Sequence, residues 1–191
     1  MRSILVIAAG LGLALGCQPV AHRPTLAEAR ADQYHRLVGV VGGDTLVVTL
    51  AEWTGGGQRD VNVHLVGVRA PDLDPERAKY GARRAADAVA ALLAGESVRL
   101  EFNNAENRPL MAYDGTLVAD QEAWVFVPPP GSDPAGHELF LNEWLLDEGL
   151  AERDHGVAEW DRGTFGQYNR RLDAAAARAR DARRGLWVLA R

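Results

Sequence analysis

The chain has 191 residues, 47% hydrophobic and 25% charged, enough apolar material for one globular domain and too much for a chain that stays disordered. Twenty-one basic against 26 acidic residues give a net charge of −5, which excludes a polycation built to coat nucleic acid. A single cysteine, Cys17, excludes an internal disulfide and a cysteine-based zinc cluster, and three serines without a G-x-S-x-G turn leave nothing for a serine hydrolase.

In chain order, Met1–Gly16 reads as an export signal: Arg2 supplies the positive start, Ile4–Leu15 an apolar run, and Ala14-Leu15-Gly16 a small-x-small cleavage site. The run is too short to span a membrane as a stable helix. Leu13-Ala14-Leu15-Gly16-Cys17 resembles a bacterial lipobox, with Ala14 where leucine is usual. That resemblance implies a diacylglyceryl group on the Cys17 sulfur and a protein held at the cell envelope by its lipid. An ordinary cut after Gly16 fits the same residues and gives a secreted or periplasmic soluble protein with a free thiol. Residues 17–33 are then the lipidated N-terminus and a polar, proline-containing tether, and the domain occupies 34–191.

His35–Thr49 has the branched, alternating character of two strands joined at Gly42-Gly43-Asp44-Thr45. Thr54–Gly57 is a second turn and Val61–Val68 a third strand. From Asp74 to Ala94 the period changes: Ala82, Ala85, Val89, Leu92 and Leu93 share a helical face, and Gly95 is placed to end it. Strands return at Val98–Phe102 and Ala123–Val127, separated by a polar stretch without a readable period. After the Pro128–Gly131 break come a short amphipathic helix, Leu141–Glu148, and a longer one, about Trp160–Arg184, with Tyr168, Leu172, Ala175 and Ala179 at helical spacing. The order predicts an α+β, mainly β fold: a five-stranded OB-fold barrel of Greek-key type with three helices.

Several segments, in order, resemble the thermonuclease-like family, the fold of staphylococcal nuclease. Val40–Leu46 is similar to the family's V-x-D-G-D-T turn, and Val63–Asp72 to its R-L-x-G-I-D-[AT]-P-E strand. Tyr80-Gly81 precedes the first helix, Leu141–Ala151 is similar to L-N-x-x-L-[IL]-x-x-G-L-A, and Gly185-Leu186-Trp187 to the closing G-[IL]-W. The resemblance covers roughly 36–187. It implies a calcium-dependent phosphodiesterase acting on DNA and RNA, with carboxylates on the metal, a glutamate assisting water and two arginines on the phosphate.

Much of that set is replaced. Gly42 stands for the first aspartate of the turn, and Asp44 remains as the implied metal ligand. Arg69 stands at the next ligand position, where a guanidinium removes a carboxylate and repels a dication; it is placed to pair with Asp44 instead. His64 replaces the first arginine without its bidentate fork, and Asp72 replaces the glutamate with a side chain one methylene shorter. Where the second arginine is expected the chain has Val118-Ala119-Asp120 or, further back, Tyr113-Asp114-Gly115, neither with an arginine, and Arg108 is the basic residue nearby.

Plainer readings stand beside these. Asp44 serves equally as a turn residue, Asp72 as a loop acid or a helix-entry charge, and His64 as an outward residue between Val63 and Leu65. His137-Glu138 lacks the second histidine of a zinc helix. The arginines at 170, 171, 178, 180, 183 and 184 form a stripe that could meet phosphate or anionic lipid head groups, with a solvated helix face as the plainer reading. The expectation is therefore an envelope-anchored binding or structural module with a degenerate nuclease site, whose partner is the membrane through Cys17 and, on the family's pattern, nucleic acid. The alternatives are a residual phosphodiesterase using calcium with Asp44 and Asp72, aided by Asp74, and an OB-type module with another ligand.

Overall fold

Alternation in two adjoining strands sets the core. The computed structural model describes residues 34–52, 56–71, 81–94, 97–104, 107–128, 137–156 and 166–188. β1 (Tyr34–Val40) passes through Gly42–Asp44 into β2 (Thr45–Ala51), which pairs antiparallel with β3 (Gln58–Leu65) along its whole length. Leu46, Val48 and Leu50 of β2 and Val61, Val63 and Leu65 of β3 all fall on the buried side, as a period of two requires.

The sequence predicts one strand through Val68, but β3 stops at Leu65. Gly67 takes a positive φ of 73°, and a side chain there meets Arg153 Nη1 at 2.6 Å and Leu172 Cδ1 at 2.8 Å. The chain turns out of the barrel into β4 (Val68–Arg69), which pairs with β8 (Glu152–Arg153).

α1 (Gly81–Leu92) buries Ala85 and Val89 and packs so closely on the β1–β2 turn that a Cβ at Gly43 lies 2.5 Å from the Ala85 Cβ and 2.8 Å from the Ala70 Cβ. The start of the predicted helix, from Asp74, and Gly95 lie outside the described residues. β5 (Ser97–Phe102) then runs antiparallel to β1, and β6 (Asp120–Val127) antiparallel to β5 and parallel to β3. The ring β1-β2-β3-β6-β5 closes on itself, so β3 and β6 satisfy each other's edges. This is the predicted five-stranded, OB-fold-like barrel with three helices.

β6 is buried on both faces. Ala123, Val125 and Val127 fill the barrel, while Trp124 and Phe126 face outward under β7 (Leu139–Phe140), α2 (Leu141–Asp147) and α3 (Gly166–Asp181). Trp124 meets Tyr168 at 5.3 Å between ring centroids, and Phe126 stacks on Phe140 at 5.0 Å. Asn142, fully buried in α2, accepts the Val125 amide and donates to the Val66 carbonyl, both at 2.9 Å. That satisfies two backbone groups which the core otherwise strands. The arginines of this segment are no simple solvated face: Arg171 and Arg178 of α3 bridge to Glu143, and Arg178 and, just past the helix, Arg184 to Asp147, clamping α3 on α2. Glu138, read as no part of a metal motif, receives Arg99 at 2.7 Å and the Tyr34 hydroxyl at 2.6 Å.

Candidate functional site

Because β3 runs antiparallel to β2 and parallel to β6, Thr45, His64 and Glu122 form one row across three strands. They are the outward neighbours of core residues. At this end of the barrel the 65–69 turn and Asp154 enclose a cleft of about 210 Å³, lined among others by Asp44, His64, Arg69, Glu122 and Asp154. Three of the positions singled out in the sequence, Asp44, His64 and Arg69, therefore meet. Gly42 lies beside them, its ideal Cβ position 3.7 Å from Asp44 Oδ1. Asp72, Asp74 and Cys17 lie outside the described residues.

Asp44 ties its turn to later parts of the chain. Its Oδ2 accepts the Ala70 amide at 2.7 Å and its Oδ1 the Thr45 hydroxyl at 3.1 Å, while its carbonyl accepts the Leu65 amide at 2.9 Å. These bonds tie the β1–β2 turn to the end of β3 and the residues after β4, and only the Thr45 contact is local to the turn.

Arg69 does not pair with Asp44. β4 places it opposite Glu152 on β8, and its Nη2 reaches Asp154 Oδ2 at 3.1 Å. The Gly156 amide and then Arg69 hold the Asp154 carboxyl below its usual range. The guanidinium is two-thirds exposed, so the pair fixes orientation more than it stabilises the fold.

His64 stands outward as its alternation with Val63 and Leu65 predicts. Its Nδ1 lies 3.2 Å from Thr45 Oγ1 and its Nε2 3.3 Å from Asp120 Oδ1. Asp120 also accepts the Asn62 side chain at 3.0 Å, and the two partners, Asn62 first, lower its pKa. Arg108 is not among the residues that line the cleft.

Glu122 and Asp154 carry no motif in the sequence, and Asp120 stands only in the place of an expected arginine. Asp120 and Glu122 are two apart in a strand, and that spacing is the signal that puts both on one face. Asp154 has no such signal, because its partner is 85 residues away.

The described residues of the cleft do not by themselves make up a calcium site, and Asp72 and Asp74 lie outside them. The ion takes six to eight oxygen ligands, yet both Asp44 oxygens already accept hydrogen bonds and Arg69 lines the same cleft. Among the described residues no group of three or more His, Cys, Asp or Glu is arranged to hold a metal. Three carboxylates, Asp44, Glu122 and Asp154, share the cleft with one guanidinium, Arg69. No protein-family model and no curated protein matches the chain.

Proposed function

We propose that this chain is an exported, lipid-anchored envelope protein whose thermonuclease-like barrel does not cleave phosphodiesters and serves as a binding or structural module. The observation that carries the reading is the Arg69–Asp154 ion pair at 3.1 Å, in the position where the family's pattern calls for a metal-binding carboxylate. Around it, Asp44 is committed to the Ala70 amide and His64 to Asp120, so the polar groups of the cleft answer one another instead of a substrate. Each lost charge-stabilising donor costs roughly 10²–10³ in rate, and here several positions are altered together. The closed barrel and the five ordered motif segments support the family reading; the leader and Cys17 support the anchor.

The test is incubation of the purified chain with single-stranded DNA and RNA, with and without millimolar calcium, beside an Asp44→Ala variant. No cleavage at high protein concentration is expected. Calcium-dependent cleavage that Asp44→Ala abolishes overturns the proposal in favour of a phosphodiesterase using Asp44 and Asp72.

A further inference from the structure

Between β5 and β6 the chain forms a hairpin, and three of the large apolar side chains exposed among the described residues lie on it: Leu110 at 48%, Val118 at 36% and Tyr113 fully. Met111 bridges to Leu117 across its stem. Leu117 is buried and Met111 packs on the core. Their alternate neighbours Leu110, Ala112 and Val118 therefore turn outward, with Tyr113 at the tip.

The finger is stiff. The side chain of Gln121, 1% exposed, accepts the Leu110 amide at 2.7 Å and donates to the Leu110 and Val118 carbonyls at 3.0 and 2.8 Å. Arg59 donates to the Leu117 carbonyl at 3.0 Å. At the turn Asp114 accepts the amide and the hydroxyl of Thr116 at 3.0 and 2.7 Å. An apolar stripe held this way gives up little conformational entropy when something covers it.

We propose that this hairpin docks on the lipid surface to which Cys17 tethers the domain. The inference rests on the anchored reading given above. From Cys17 to Tyr34, where β1 begins, the tether reaches at most roughly 60 Å, at about 3.3–3.6 Å per residue. A domain of this length is about 40 Å across, so the tether keeps it beside the bilayer and lets any face turn to it. β5 links the two features, since Tyr34 pairs with Arg99 near its start and its end leads into the hairpin. The tethered surface is met at high effective concentration, so weak contacts suffice.

The chemistry suits an interface. A tyrosine beside leucine, valine and alanine presents an apolar body and a hydroxyl to the headgroup boundary, where tyrosine concentrates. From Asn107 to Ala119 the charges are Arg108 and Asp114, which cancel. In a chain of net charge −5, this segment approaches an anionic leaflet without net repulsion.

The test uses the chain from residue 17 onward with Cys17→Ser and a hexahistidine in place of the lipid. It is held on phosphatidylglycerol and phosphatidylethanolamine vesicles by a nickel-chelating lipid. Bimane is attached at Ala112→Cys on the outward face of the hairpin, or at the exposed Ala174→Cys on α3, and is quenched by nitroxide-bearing lipid. Several-fold stronger quenching at 112 than at 174 is expected, falling to the level at 174 when Leu110, Tyr113 and Val118 are all changed to serine. Equal quenching at the two positions overturns the proposal. So does a concentration-dependent dimer that shields position 112 without vesicles, which assigns the stripe to a second copy. Mass analysis of the membrane-extracted native chain tests the anchor separately. An unmodified Cys17 removes the anchored reading, whereas the quenching contrast still reports whether the hairpin itself prefers lipid.

Discussion

Gly149 and Gly185 touch backbone to backbone. The Leu186 amide donates to the Gly149 carbonyl at 2.8 Å, and both glycines hold positive φ, 65° and 50°. At Gly149 an added Cβ runs into the Arg184 carbonyl, and at Gly185 into the Gly149 carbonyl. The contact explains why two motif glycines 36 positions apart belong to one device, the seam between the end of α2 and the closing 3-10 turn, Gly185–Val188. Alanine at either position is expected to lower stability by about 2–4 kcal/mol, from backbone strain plus the clash. Because both press on the same seam, the double variant is expected to cost less than the sum. Urea unfolding of the two single variants and the double checks both expectations.

Asn142 is the second stability test. Alanine there strands the Val125 amide and the Val66 carbonyl in the core and opens a small void, so a loss of about 2–4 kcal/mol is expected. Thermal and urea unfolding read the loss. Hydrogen exchange at the Val125 amide reads its cause, and a rate unchanged relative to the neighbouring β6 amides argues against it.

Burial, and then the Glu101 carboxylate accepting its hydroxyl at 2.8 Å, push Tyr168 up to about 12 from an ordinary value of 10.0. The folded state thus holds the proton more tightly than the unfolded chain. The contribution is complete below pH 10 and is lost as pH rises from 10 to 12. Tyr168→Phe is expected to flatten the stability profile in that window and leave its shape near neutral pH unchanged. Unfolding midpoints measured from pH 8 to 12 decide it.

At the cleft, Arg69 and Gly42 are the positions where the proposed thermonuclease-like reading calls for carboxylates. The double variant Gly42→Asp, Arg69→Asp is expected to gain a calcium-dependent rise in melting temperature that the parent lacks, since two acids join Asp44 and a repelling guanidinium leaves. A melting temperature equally insensitive to calcium in both proteins counts against the idea that these two positions disabled the site.

The barrel was largely legible because its strands are written in local alternation. Val61, Val63 and Leu65 announce their face without reference to anything distant. The packing on the outer face of β6 was less so: Trp124 and Phe126 break the alternation, since helices cover what a half-exposed strand leaves to water. The hairpin before β6 gave no periodic signal, for its order comes from side chains such as Gln121 and Asn107 bonding to backbone rather than from an apolar rhythm. In the cleft, the family resemblance pointed to Asp44, His64 and Arg69, and these three line one cleft. It could not supply the partner of Arg69, which lies just past β8, far along the chain, and it could not show that Gly43 is held small by Ala85 and Ala70.

The parallel pairing of β3 with β6 sets a schedule for the nascent chain. A polypeptide emerging from its N-terminus can zip β1, β2 and β3 as a meander, but the open flank of β3 has no companion until residues near 123 have followed, since Leu65 is paired with Ala123. Closure is thus a late, long-loop event of the slow kind. Throughout that interval the unclosed meander offers a bare strand edge to any neighbouring chain. Holding that flank free of wrong company is a demand the finished barrel conceals.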